Sequence, residues 1–294
     1  MKKAAIVFAS QNDQKNIFSS RSRDNCSNKF SLLREELKKS GVLVSNEEMI
    51  NTSNADIYIF IDVNTSALKR IPRKSKKLLV ITESPIINQS NHNKRVRRQY
   101  DRILSWETDS NQANLFWLGC GCSYPDEYSL VEWGEYERNE KICMISGNKK
   151  SSLRQELYSE RIKATKHLGI CGHRVDVFGP GWNKRRFRGA LRPLNKIKLA
   201  TSIMYQPIEN YRGMCDSKFE TMKRFRFAIC FENARTENGY ITEKIFDAMF
   251  SGCIPIYFGA DNIDYFVPKE TFINKRDFDS YESLGRYLEG MKEE

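Results

Sequence analysis

The sequence predicts an α/β protein made of two successive Rossmann-like domains facing each other across a cleft. Two observations lead there. Short apolar runs of the kind found in buried parallel strands alternate with polar helical stretches, and residues 226–259 read as one strand-loop-helix-strand crossover. A length of 294 residues is enough for two cores of ordinary size.

In the first half, strands are expected near Ala4–Ala9, Ala55–Asp62 and Lys77–Thr82, with a helix near Phe30–Lys39. Two lysines followed by Ala-Ala-Ile-Val-Phe-Ala superficially resemble an export signal. The run is too short and lacks a cleavage context, so it reads as the first strand. Ile103–Trp106 is a further strand. Pro125–Glu140, acidic and turn-rich, reads as the link, which draws the domains as 1–140 and 141–294.

The second half is expected to open with a strand at Lys141–Ser146 and a helix at Ser151–Lys166 capped by Ser151 or Ser152. A strand at Val175–Phe178, ending in Gly-Pro-Gly, follows. Residues 183–203 are rich in Arg and Lys with few periodic apolar positions and read as a loop. Asp216 is placed as the cap of a helix presenting Phe219 and Met222. The crossover then runs from a strand at Phe227–Phe231 to a helix starting near Thr242, with Ile241, Ile245, Ala248 and Met249 at helical spacing. Gly252 is its stop and Ile254–Phe258 the returning strand. Tyr281–Glu294 is the last helix. In such sheets ligands lie beyond the carboxyl ends of the strands, so Glu232, Asn233, Tyr240, Thr242, Glu243 and Lys244 are expected to border one crevice.

Composition narrows the function classes. Forty-eight Lys and Arg against thirty-seven Asp and Glu leave a net charge of +11, which suits an anionic partner and equally suits plain solubility. No zinc-finger spacing, basic zipper or RNP-like motif supports nucleic acid. The eight Cys do not form a disulfide framework. Cys143, Cys230 and Cys253 sit inside apolar strands, and Cys120 and Cys122 lack a second ligand pair at zinc spacing, so no metal site is expected. No run approaches the roughly eighteen apolar residues of a membrane span. The expectation is a soluble, cytoplasmic chain with reduced thiols, at most in peripheral contact with a membrane.

Phe231-Glu232-Asn233, then Gly239-Tyr-Ile-Thr-Glu-Lys-Ile245, then Ser251-Gly-Cys-Ile-Pro-Ile-Tyr-Phe-Gly259 resembles the core motif of the α-1,3/1,4-fucosyltransferases, glycosyltransferase family 10. The resemblance extends through Tyr211-Arg-Gly213, Lys218-Phe-Glu220 and Phe266-Val-Pro268, and back to Ile145-Ser-Gly-Asn148 with Arg154 and to Val175–Gly179. It covers about Lys141–Phe272. It implies the GT-B arrangement, with the donor GDP-fucose bound mainly by the C-terminal half and a last helix that often crosses back to the first domain. With no apolar run long enough for a membrane anchor, the expectation is a likeness to the anchorless microbial or viral members.

Sugar transfer from a nucleoside diphosphate requires a base for the acceptor hydroxyl and positive charge for the departing diphosphate. Another common design holds a divalent metal with an Asp-x-Asp pair. Here the leaving group is expected to be met by side chains and a helix end, with no metal required and no tightly bound cofactor. Lys244, in a helix's first turn, can address a diphosphate oxygen, and its plain alternative is an exposed surface lysine. The resemblance gives Glu243 a sugar hydroxyl and Lys244 the phosphates. Arg154 offers a planar guanidinium to phosphate, or else a surface pair with Glu160 or Tyr158. Tyr211 and Tyr240 stack on guanine or bond to phosphate, or are half-buried aromatics. Glu232 and Asn233 bind ribose or sugar, or Asn233 caps the loop, and Lys218 joins the donor-binding set through the motif. Gly239 serves the turn.

Glu83 follows a strand and precedes Pro85, so it should emerge at a carboxyl edge, placed to take the acceptor proton; a solvated or turn-capping carboxylate is the alternative, and Glu107 is the rival base. The expected function is an inverting transfer of L-fucose from GDP-fucose to a hydroxyl of an acceptor glycan. Glu232, Glu237 and Glu243 miss the seven-residue spacing of the Glu pair in retaining enzymes. The alternatives are another GDP-linked deoxy sugar, a non-glycan acceptor, or a basic nucleotide- or nucleic-acid-binding protein that has lost catalysis.

Overall fold

The computed structural model describes residues 1–9, 17–18, 28–46, 55–108, 111–119, 140–183, 208, 210–235 and 238–291. The chain divides into two compact units. The first comprises Met1–Tyr128 with Glu232–Glu243 and Gly259–Phe266, and the second comprises Ser129–Phe231, Lys244–Phe258 and Val267–Glu294.

The first unit carries β1 (Lys2–Phe8), α1 (Asn28–Lys39), β2 (Val42–Asn46), β3 (Ile57–Ile61), α2 (Thr65–Arg70), β4 (Lys76–Ile81), α3 (Lys94–Arg97), β5 (Arg102–Ser105) and β6 (Leu115–Trp117). Its strands form one parallel sheet in the order β2-β1-β3-β4-β5-β6. Ala4, Ala5, Ile6 and Val7 of β1 are all buried, because apolar layers cover both faces. Ala5 and Val7 join Tyr58, Phe60, Leu79 and Ile103, while Ala4 and Ile6 join Val44 and Ile59. β2, β6 and α2 escape the sequence patterns: the two strands are short edge strands, and α2 is a six-residue turn of helix held by Asn64, whose Oδ1 accepts from Ala67 N at 2.9 Å.

The second unit carries β7 (Glu140–Ile145), α4 (Tyr158–Ile170), β8 (Val175–Phe178), β9 (Tyr211–Gly213), α5 (Lys218–Met222), β10 (Phe225–Phe231), α6 (Glu243–Phe250), β11 (Ile254–Phe258), β12 (Ile273–Asn274) and α7 (Tyr281–Gly290). Its sheet is also parallel, in the order β12-β11-β10-β7-β8-β9. The strand order reverses between β7 and β10, the position at which such sheets bind ligands beyond the carboxyl ends. α6 stops as its composition predicts: Gly252 takes φ 69°, and the Gly252 and Cys253 amides donate back to Met249 and Ala248 at 2.9 Å.

Two expectations are corrected here. The helix placed at Ser151–Lys166 begins seven residues later, at Tyr158. Ser151 spends its Oγ on the Leu153 amide and closes a turn instead, while the carboxylate of Glu156 accepts from Ser159 N at 2.9 Å and serves the helix start. Arg154 therefore lies on an exposed turn and not on a helix. The cap of α5 is Ser217, not Asp216, because only the Ser217 hydroxyl reaches the Glu220 amide, at 3.2 Å. The last helix, α7, packs within the second unit. Tyr281, Leu284 and Leu288 join Ile142, Val175, Ala164 and Leu168 in one core, and the Tyr281 hydroxyl donates to Glu160 at 2.9 Å. The basic stretch is described only at Asn183, and Cys26, Cys120, Cys122 and nearly all of the acidic link lie outside the described residues. Among the described residues, no helix is long and apolar enough to cross a membrane.

Leu284 is fully buried in this core, so Leu284→Ala is expected to lower stability by about 2–5 kcal/mol. The check is a urea titration, and an unmoved midpoint would place α7 outside the core.

Candidate active site

Glu83 stands just beyond the carboxyl end of β4, and its backbone is held from two sides. The buried carboxylate of Asp62, in the left-handed region at φ 59°, accepts from the amides of Thr82 at 2.8 Å and Glu83 at 3.0 Å. It also accepts from the Thr82 hydroxyl at 2.5 Å and from Asn91 Nδ2 at 2.6 Å. Asn91 donates in addition to the Glu83 carbonyl at 3.2 Å, and its own Oδ1 accepts from Val63 N at 2.8 Å. A buried carboxylate with this many donors is satisfied as an anion, and it sets the path of the 82–84 backbone. Neither Asp62 nor Asn91 was singled out by sequence. The only local signals are an Asp closing a strand and an Asn-rich turn.

The side chain of Glu83 meets Tyr240, whose hydroxyl donates to Glu83 Oε2 at 3.3 Å and accepts from Asn233 Nδ2 at 3.2 Å. Tyr240 is 1% exposed, with its ring 5.0 Å from that of Trp106. This corrects the expectation of a ring open to a guanine base: the aromatic face is packed in the core of the first unit. Burial, then the charges of Glu83 and Glu232, raise the phenol well above its ordinary pKa, so it stays a proton donor. Gly239 is required at φ 83°, since a Cβ there would lie 2.1 Å from the Trp106 carbonyl. Its amide donates to Asn262 Oδ1 at 2.8 Å.

Glu232 and Thr242 are interior as well. The Glu232 side chain, 0% exposed, accepts from Thr242 N at 2.7 Å and Thr242 Oγ1 at 2.8 Å, which pins the two ends of the 232–242 loop together. So the six residues expected around one crevice divide. Glu232, Tyr240 and Thr242 are buried, while Asn233, Glu243 and Lys244 are half-buried.

Glu107 is committed elsewhere. Its Oε2 accepts from Arg97 Nη2 at 2.6 Å and from Ser105 Oγ at 2.9 Å, and its Oε1 lies 3.5 Å from His92 Nδ1. Burial raises its pKa, but the hydrogen bond to His92 and the Arg97 charge outweigh burial and bring it to about 2. A carboxylate with that pKa is a weak proton acceptor near neutrality.

In the second unit, Lys244 occupies the first turn of α6, and its carbonyl accepts from Cys230 Sγ at 3.2 Å. Lys218 pairs with Asp247 at 3.0 Å across the α5 and α6 surfaces. Tyr211 donates from its hydroxyl to the Gly179 carbonyl at 3.0 Å and braces the turn after β8. That turn locks the loop after β7. Asn148 N donates to Pro180 O at 2.9 Å, Asn148 Nδ2 to Gly181 O at 3.1 Å, and Trp182 Nε1 to Ser146 O at 2.5 Å. At Gly179, φ 117°, a Cβ would sit 2.5 Å from Ser146 O, so no side chain fits between the two loops.

The chain contains one Asp-x-Asp triplet, Asp277-Phe278-Asp279, in the turn before α7. Both carboxylates are exposed, and among the described residues no three His, Cys, Asp or Glu side chains cluster as metal ligands.

The profile described as glycosyltransferase family 10 (fucosyltransferase), C-terminal part, matches residues 136–294, more than half of the chain. The chain belongs to glycosyltransferase family 10. It is 40% identical over 70 residues to an α-(1,4)-fucosyltransferase of Arabidopsis thaliana, a stretch covering 24% of this chain and 17% of that protein. With the α-(1,3)-fucosyltransferase FucT of Helicobacter pylori it shares 38% identity over 72 residues, covering 24% and 15% of the two chains. The matched segment is thus under a fifth of the length of either relative. Two crystal structures of α1,3-fucosyltransferase, the second with GDP-fucose, superpose at TM-scores of 0.58 and 0.56 with 15% identity, covering 98% of this chain and 77% of theirs. The fold is GT-B type α/β.

The Glu107 pair contributes on the order of 3 kcal/mol, if its pKa moves from 4.5 to about 2 on folding. A depressed carboxylate pKa stabilises above the unfolded value, and that contribution is lost as pH falls through the folded one. Glu107→Gln is therefore expected to be less stable at pH 7 and to lose less stability than the parent between about pH 4.5 and 2, followed by urea midpoints. Parallel acid profiles for the two proteins would contradict this.

Proposed function

We propose that this family 10 chain is an inverting fucosyltransferase that moves L-fucose from GDP-fucose to a hydroxyl of an acceptor glycan. The observation that carries the proposal is Glu83, a carboxylate at a strand's carboxyl end with its backbone clamped by Asp62 and Asn91 and its side chain on a protonated phenol. A general base needs a fixed position and a charge state open to protonation. Glu83 has the first, and Glu107, drawn down to about pKa 2 by its partners, lacks the second.

In this mechanism Glu83 takes the proton of the acceptor hydroxyl as its oxygen bonds to the anomeric carbon. The bond from that carbon to the diphosphate oxygen breaks on the opposite face, and GDP departs with the electron pair. Configuration inverts in the single displacement. Lys244, in the first turn of α6, and Arg154, on the exposed turn after β7, are assigned to the negative charge on the leaving diphosphate, with Glu243 on a sugar hydroxyl. Side-chain cations supply the charge that a divalent metal supplies in other designs. Residues 141–294 are assigned to the donor and 1–140 to the acceptor. The relatives solved with GDP-fucose and named as fucosyltransferases support the donor.

Glu83→Gln is expected to lower kcat by about 10²–10⁴-fold while leaving GDP affinity by calorimetry unchanged. Full turnover in that variant would move the base elsewhere. Lys244→Ala is expected to weaken GDP binding by roughly 10–100-fold, the loss of a charge-assisted contact. A preference of the parent protein for UDP over GDP in the same titration would overturn the donor assignment.

A further inference from the structure

We infer that Tyr240 is a positioning residue for the base, its phenol fixing the orientation of the Glu83 carboxylate and favouring its charged form. This rests on Glu83 being the base.

The direction of the hydrogen bonds carries the inference. Asn233 Nδ2 can only donate, and it reaches the Tyr240 oxygen at 3.2 Å. The Ser84 hydroxyl also lies beside the phenol, and of the two acceptors the Glu83 carboxylate is the charged one, its Oε2 3.3 Å away, so the single phenol proton goes to it. The ring that carries the hydroxyl has little freedom to move. It lies on Trp106, Tyr240 is 1% exposed, and Gly239, one residue before it, is wedged against the Trp106 carbonyl with its amide tied to Asn262. Glu232 and Thr242 close the same loop from its other end. Glu83 therefore has its backbone set by Asp62 and Asn91 and its head group set by Tyr240, so two independent parts of the unit hold one carboxylate. The charged and titratable groups around the pair are Asp62, which holds the Glu83 amide, Glu232, whose charge acts on Tyr240, and the Glu107–Arg97–His92 cluster, whose His92 ring packs on Trp106. A donor hydrogen bond to the ionised form lowers a carboxyl pKa, and removing it raises that pKa.

Tyr240→Phe removes one oxygen and keeps the ring, so it tests the bond with the packing intact. The expected result is a fall in kcat of about ten-fold or more with the KM for GDP-fucose and the affinity for GDP unchanged. The acid limb of the kcat profile should move to higher pH, since the activity needs ionised Glu83 and its pKa rises. Asn233→Ala leaves Tyr240 in place but frees its hydroxyl to turn away, and a smaller shift of the same sign is expected. A variant with weakened GDP binding and an unmoved acid limb would overturn the inference and make Tyr240 a donor contact. Glu83→Gln assayed alongside separates the two levels. If it keeps full turnover, the base assignment has failed. If it is inactive while Tyr240→Phe and Asn233→Ala keep the parent kcat and profile, only the positioning role has failed.

Discussion

The first unit is organised around one buried anion. Asp62, 5% exposed and at φ 59°, is the only described residue other than glycine in the left-handed region. That backbone costs an Asp little, but it aims the carboxylate across to the neighbouring strand end, where two amides, a hydroxyl and a side-chain amide converge on it. Removing any of these donors would leave a buried charge short of partners, which is why the arrangement is held in common by β3, β4 and the 88–92 turn. The position of Glu83 follows from it.

The second unit reaches comparable definition by other means. Here close backbone approach does the work: glycines after β8 let the turn lie directly on the loop after β7, Asn148 and Trp182 lace the two together, and Tyr211 of β9 braces the turn. The result is a carboxyl edge where loop atoms rather than buried charges define the surface. The proposal places Arg154, from the turn after β7, and Lys244, from the start of α6, at this edge.

The sequence disclosed this architecture unevenly. β1, β3, β4, β5, β7, β8, β10 and β11 were all legible because parallel strands buried on both faces read as unbroken apolar runs, and α1 and α6 because their apolar positions keep helical spacing. β2 and β6 were not, being edge strands of five and three residues. The start of α4 was misjudged because a Ser-Ser pair resembles a cap, yet its hydroxyl can close a local turn at equal cost. The place of Glu83 at a strand's carboxyl end was legible from Pro85 and the preceding strand. Its supports were not: Asp62 stands 21 residues away and Tyr240 stands 157 residues away. Lys218 shows the same limit, since its partner Asp247 lies 29 positions along the chain. Long-range pairing leaves no local pattern to read.

The segment 232–243 leaves the second sheet at the end of β10, lodges Ala234 and Tyr240 in the core of the first unit, and returns to begin α6. A gene fragment ending near residue 140 would encode every strand of the first sheet and still lack two pieces of its interior. Truncation to a free-standing amino-terminal half, or exchange of such halves between family members, therefore demands that this short passage be transplanted with them, together with Gly259–Phe266.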